Sequence, residues 1–173
     1  VGLQPYNHKS CNIEVGCRTM PQYFLQTLQA DKTSKWDFSH WVPQLVVVSL
    51  GGNDYNHQEG HVPSDQDFSH SYSELLDFIF KEYMSPVVVG ICGMGTPGEK
   101  QREVDNDRCR PCPHVQTAVD AYKEQHRDRS VHYIFIPCDG TVATDEDMGC
   151  DNHKNPAGQA KVAHFLEPQL RRI

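Results

Sequence analysis

Two short stretches carry side chains that could do acid–base work. Gly51-Gly52-Asn53-Asp54 closes one apolar run, and Asp151-Asn152-His153-Lys154-Asn155 opens an amphipathic one. An imidazole that titrates near neutrality can take a proton and return it. A side-chain amide can donate a hydrogen bond to charge developing on an oxygen. A histidine base, an amide donor and a hydroxyl nucleophile together make the equipment of acyl transfer. Each stretch also has an ordinary structural reading. Asn53 and Asp54 are good turn or cap residues, and a lone His153 is more often structural than catalytic. A third pattern, Cys109-Arg110-Pro111-Cys112-Pro113-His114, has the spacing of metal ligands. A structural zinc site needs four ligands, and no second pair at matching spacing is evident. A disulfide through Cys109 or Cys112 that ties down the segment from Gly93 to Pro113 is the stronger expectation.

Three apolar runs must position these residues. Leu45 to Leu50, Pro86 to Cys92 and Val131 to Pro137 are short, β-branched and bounded by Gly or Pro. Such runs are expected of parallel strands covered on both faces, and the first reads as a central strand. Helical spacing of apolar residues falls between and after them, over Tyr72 to Met84, His114 to His126 and Pro156 to Leu170. Met20 to Leu28 predicts a shorter helix with proline in its first turn. Alternating strands and helices predict an α/β fold. Asn53 to Ser71 and Gly93 to Pro113 read as long loops. Both leave the carboxyl ends of strands, where open α/β sheets bind ligands.

The bulk properties set limits. The 173 residues suit one domain spanning the whole chain. A net charge of −7 argues against nucleic acid as a partner. No apolar run reaches the ~20 residues of a membrane span, so no membrane partner is expected. Seven cysteines favour an oxidising compartment, hence a secreted or extracellular protein, and the odd number leaves one thiol free or bonded to another chain. Cys11 and Cys17 could close a small loop. Glu99 to Arg110 is mixed in sign and reads as a solvated face.

Together the two stretches resemble the SGNH (GDSL-type) hydrolases, and most closely the family-two carbohydrate esterases. LGGNDYN is similar to the family's Gly-x-Asn-Asp block, and DNHKNPAGQAKVA to its C-terminal histidine block, in the expected order. MPQYFLQTL and WDFSHWVPQLVVVSLGGND extend the likeness over nearly the whole chain. The resemblance implies a flavodoxin-like, three-layer α/β/α sandwich with a central parallel sheet. It implies hydrolysis of O-acyl esters of carbohydrates, chiefly O-acetyl, without a cofactor or metal. His153 would be the general base and Asn53 an oxyanion donor. Gly2 would add a backbone N–H, and Gly52 and Tyr55 would line the substrate site. Asp151 would be either the third catalytic member or a cap of the last helix, because some family-two enzymes use a Ser–His dyad held by a backbone carbonyl. Trp36, Trp41 and Tyr55 could stack on a sugar ring or serve as core and loop anchors.

The sequence departs from the family pattern in four places. Cys150 stands where many members carry the acid three residues before the histidine. Asn152 replaces an aromatic residue, and Lys154 replaces proline. The Gly-Asp-Ser block that carries the nucleophile is missing, and Ser49 and Ser10 lack its context. In such a sheet the missing strand would be internal, and each buried backbone group left unpaired costs roughly 1–3 kcal/mol. The resemblance therefore implies that a second segment, the N-terminal piece of the same precursor, supplies the first strand and the serine. A disulfide to the odd cysteine could join the two. The non-Met start at Val1 fits a processed chain. The rival expectation is a catalytically inactive SGNH-like protein that binds carbohydrate or serves in assembly.

Overall fold

In a computed structural model of the chain, the described residues are 2–3, 19–28, 30–55, 62–93, 109–150 and 153–173. Ser10, Cys11, Cys17, Asp151, Asn152 and most of the segment from Glu99 to Arg110 lie outside them. The elements run α1 (Met20–Phe24), β1 (Leu45–Val48), α2 (Asp65–Glu82), β2 (Val87–Cys92), α3 (Cys112–Gln125), β3 (Val131–Phe135) and α4 (Pro156–Leu170). The sheet is parallel with order β1-β2-β3. The expected α/β fold with a parallel sheet is the one observed, and among the described residues α2 and α3 cover one face of it.

Alternation along β2 sorts the core. Gly90 faces Tyr72 of α2 and Val119 of α3, so Val88, Gly90 and Cys92 lie on the face covered by those helices. Residue partners across a parallel ladder point the same way, which adds Val46, Val48 and Val131 to that face. Phe68, Tyr72, Leu75, Leu76 and Ile79 of α2 and Val115, Ala118, Val119 and Tyr122 of α3 close the layer. On the opposite face Val89, Ile134 and Ile136 are also buried. Leu45 and Val47 on that face remain 38% and 43% exposed. Within the described sheet β1 is thus an edge strand, not the central strand its composition suggests, and it ends at Val48. Ser49 lies beyond it and is exposed.

Helix α2 begins well before Tyr72, inside the stretch expected to be loop. Ser64 caps it by accepting from the Asp67 amide at 3.1 Å. Its hydroxyl donates to the Asp67 carboxylate at 2.7 Å. Two aspartates in the first turn favour the positive end of the helix dipole. Helix α4 has the predicted bounds, with proline at its start and Asn155 as its cap.

Two disulfides join the ends of the segment after β2 to the sheet. Cys92 pairs with Cys112, and Cys109 with Cys138. Both cysteines of the metal-like pattern are consumed in this way, which overturns a zinc site there. Among the described residues no cluster of His, Cys, Asp and Glu could hold a metal. The free cysteine among them is Cys150, which is exposed. No helix among the described residues is long and apolar enough to cross a membrane.

Candidate active site

The opening Gly-Gly-Asn-Asp stretch folds as a sharp turn off β1 followed by a 3-10 turn over Asn53–Tyr55. Gly51 has φ +117°, a left-handed conformation, and a Cβ there would meet Val115 at 2.9 Å. Glycine is therefore dictated by both backbone and space. Gly52 is different: it is exposed, and a Cβ built on it meets nothing within 4 Å. The Gly51 carbonyl accepts from the amides of Asp54 and Tyr55 at 3.1 and 3.2 Å.

The turn divides its side chains. Asn53 is exposed, whereas Asp54 and Tyr55 are buried. Asp54 Oδ1 accepts from the Leu3 amide at 2.8 Å, across 51 positions of sequence. The carbonyl of Gly2 accepts from the Met20 amide at 2.8 Å. Gly2 and Leu3 are both buried. The structure thus brings Gly2, Asn53 and Asp54 together at the carboxyl end of β1.

Tyr55 sits against His114 with ring centroids 4.3 Å apart and meets Phe68 edge-on at 5.1 Å. His114 Nδ1 lies 2.6 Å from Asp65 of α2. Burial first, and then the charges of Asp65 and Asp54, push the Tyr55 phenol up. Its placement is that of a loop anchor, with little ring surface left for a sugar. Trp36 and Trp41 are exposed, but they lie in the segment that enters β1 at its amino end.

His153 is exposed in the loop that follows β3 and leads into α4. Its backbone is held on both sides. The His153 amide donates to the Cys150 carbonyl at 3.0 Å, and its carbonyl accepts from Gly149 at 2.6 Å. Asn155, two residues on, fastens this loop to α4. Its Oδ1 accepts from Gly158 at 3.0 Å, and its Nδ2 donates to the Glu146 carbonyl at 3.1 Å. Its amide donates to the Asp147 carbonyl at 2.9 Å. Asn155 is the N-cap, so the capping role considered for Asp151 is filled by another residue. Gly158 permits the joint, since a Cβ there would lie 2.5 Å from the Asp147 carbonyl oxygen.

Asp147 was not singled out in the sequence, yet it organises this corner. Its carboxylate accepts from Lys161 and from the Thr144 amide, each at 2.7 Å. Hydrogen bonds from Lys161 and then Thr144 hold its pKa below the ordinary value. The available clue was Thr144-Asp145-Glu146-Asp147, whose spacing is that of a capping box.

Asn53 and His153 therefore lie on segments that leave the carboxyl ends of β1 and β3. Two strand intervals separate those ends, about 10 Å at ordinary sheet spacing.

Comparison of the fold with solved structures finds family-two carbohydrate esterases. An active-site mutant of a family-two carbohydrate esterase from Clostridium thermocellum, in complex with a cello-oligosaccharide, superposes with TM-score 0.74 at 21% identity, over 99% of this chain and 46% of that one. A family-two enzyme with a carbohydrate-binding domain from Corynascus thermopiles (Myceliophthora fergusii) gives 0.69 at 19%, over 98% and 50%. An acetyl xylan esterase from the rumen bacterium Butyrivibrio proteoclasticus gives 0.65 at 16%, over 89% and 45%. The chain spans about half the length of these enzymes and shares their fold. No protein-family model and no curated protein matches the sequence.

Proposed function

We propose that the chain is the histidine and oxyanion portion of an SGNH-type serine esterase that removes O-acyl groups, chiefly O-acetyl, from carbohydrates. His153 takes the proton from a serine hydroxyl and later returns it to the leaving sugar hydroxyl. The Asn53 amide and the Gly2 backbone N–H receive the oxyanion of the tetrahedral intermediate. Asp151 orients the imidazole. The observation that carries this reading is the buried hydrogen bond from Leu3 to Asp54. It ties the Gly2–Leu3 backbone to the turn that carries Asn53, which supports an oxyanion site there, in a fold shared with enzymes described as carbohydrate esterases.

The serine comes from a further segment of the same precursor. Its strand pairs with the outer edge of β1 and its following residues cover Leu45 and Val47. Unpaired strand edges with apolar side chains are a liability that proteins cover. The two disulfides fit secretion. Exposed Cys150, the free cysteine among the described residues, offers a thiol for a covalent link to that segment.

The test uses the protein together with its serine-bearing segment. Acetate release from acetylated xylan is measured beside labelling by a serine-directed fluorophosphonate. The expected result is release that is abolished in His153→Ala, with the label on a serine outside residues 1–173. A protein that releases no acetate and takes no label overturns the esterase reading. One observation favours a second role in carbohydrate binding: Trp36 and Trp41 are exposed. Retained affinity for a xylan or cellulose oligosaccharide in an unlabelled, inactive protein would support it.

A further inference from the structure

We propose that Asp54 is a positioning residue for the oxyanion site: its buried carboxylate sets the distance between the backbone at Gly2 and the Asn53 side chain. This role rests on the esterase reading above and assigns a task to a residue that the reading leaves idle. Asp54 is 1% exposed. Burying a carboxylate is costly unless strong hydrogen bonds compensate. A neutral side chain would close the turn as well, because the Gly51 carbonyl already accepts the Asp54 and Tyr55 amides. The carboxylate instead reaches inward to the Leu3 amide at 2.8 Å. A charge-assisted bond of this kind is short and directional.

The neighbourhood turns that bond into a gauge. Leu3 is held by Asp54, and the preceding carbonyl, that of Gly2, is held by the Met20 amide at 2.8 Å. The peptide between Gly2 and Leu3 is thus gripped from both sides and cannot slide along the turn. Asn53 precedes Asp54 directly, so the same short turn that presents the amide outward grips the opposing backbone inward. Behind it Tyr55 is wedged against His114 and Phe68. That wedge keeps the turn from rotating as a unit. Two donors that must meet one oxygen atom need this kind of fixed spacing. A misplacement of ~1 Å can cost ~100-fold in rate.

The test compares Asp54→Asn, which keeps an acceptor at the same place, with Asp54→Ala, which keeps none. It uses the protein with its serine-bearing segment. Asp54→Ala is expected to lower kcat on an acetyl ester by about 100-fold, the scale of one lost oxyanion donor. KM is expected to stay unchanged, and Asp54→Asn to restore most of kcat. Should Asp54→Ala fail to fold, Asp54→Ser replaces it, since its hydroxyl is too short to reach the Leu3 amide. Amide exchange at Leu3 is followed by nuclear magnetic resonance in the same variants and does not depend on activity. Exchange should accelerate in Asp54→Ala or Asp54→Ser and stay protected in Asp54→Asn. Unchanged Leu3 exchange, or faster exchange with wild-type kcat, overturns the proposal. A wild-type protein without esterase activity sinks the functional reading, while the exchange experiment still decides whether Asp54 holds the backbone.

Discussion

Replacing Gly158 by alanine sets two opposing effects against each other. Gly158 lies in the first turn of α4, without a positive φ. At an ordinary helical site the change would stabilise the protein by ~0.4–1 kcal/mol, because alanine loses less backbone entropy. Here the new Cβ would lie 2.5 Å from the Asp147 carbonyl oxygen and 2.9 Å from its Cβ. The blocking atom is backbone, so no rotamer change relieves the clash. Overpacking of this kind costs about 1–3 kcal/mol. The same carbonyl also accepts from the Asn155 amide at 2.9 Å, and a damaged cap adds about 1 kcal/mol. The clash wins, and Gly158→Ala should be destabilising by about 1–3.5 kcal/mol net. At ~2–4 °C per kcal/mol for a domain of this size, the melting temperature should fall by about 2–14 °C. The assay is thermal unfolding followed by circular dichroism with the disulfides oxidised. Asn155→Ala serves as a companion and should act in the same direction through the same joint. A raised melting temperature in Gly158→Ala would refute the reasoning, since helix propensity alone would then govern the site.

Three further outcomes are expected. Tyr72 is fully buried and its hydroxyl has no hydrogen-bond partner among the described residues; Tyr72→Phe should therefore be neutral or stabilising by up to ~1 kcal/mol in urea titration. Asp147 is held below its ordinary pKa of 3.8 by Lys161 and Thr144. Its contribution is thus complete above that value and lost as pH falls through the lowered one; Lys161→Met should flatten the loss of stability below pH ~4, read from urea midpoints at several pH values. Opening the disulfide Cys92–Cys112 or Cys109–Cys138, which close separations of 20 and 29 residues, should cost about 3–4 kcal/mol each by loop entropy; paired-alanine variants measured in urea would check this.

The strands were legible because each is a compact β-branched run, and α4 because Pro156 marks its start and Asn155 supplies its cap. The start of α2 was harder to see. Its first turns, Asp65 to Ser71, are polar and read as loop, although Pro63-Ser64-Asp65-Gln66-Asp67 carries the cap that begins the helix. The edge position of β1 was not visible either, since Leu45 and Val47 are as apolar as a central strand requires. Composition reports what a strand could be buried against, not what covers it. At the site, Asn53 and His153 stood out by chemical type and by order along the chain. The tie between Leu3 and Asp54 joins residues too far apart for any local pattern to reveal. The two cystines showed the same limit. Cys109 and Cys112 were visible as candidates, but their partners depend on which strand ends the sheet brings near them.

Those cystines fasten a segment at its roots. Cys92 stands just before the stretch 94–108, and Cys109 and Cys112 stand just after it. Cys92 ends β2 and Cys112 opens α3, so one cystine couples that strand and that helix directly, while the other holds Cys109 to Cys138 beyond β3. Separation of α3 from the sheet would have to break a covalent bond as well as the packing between them.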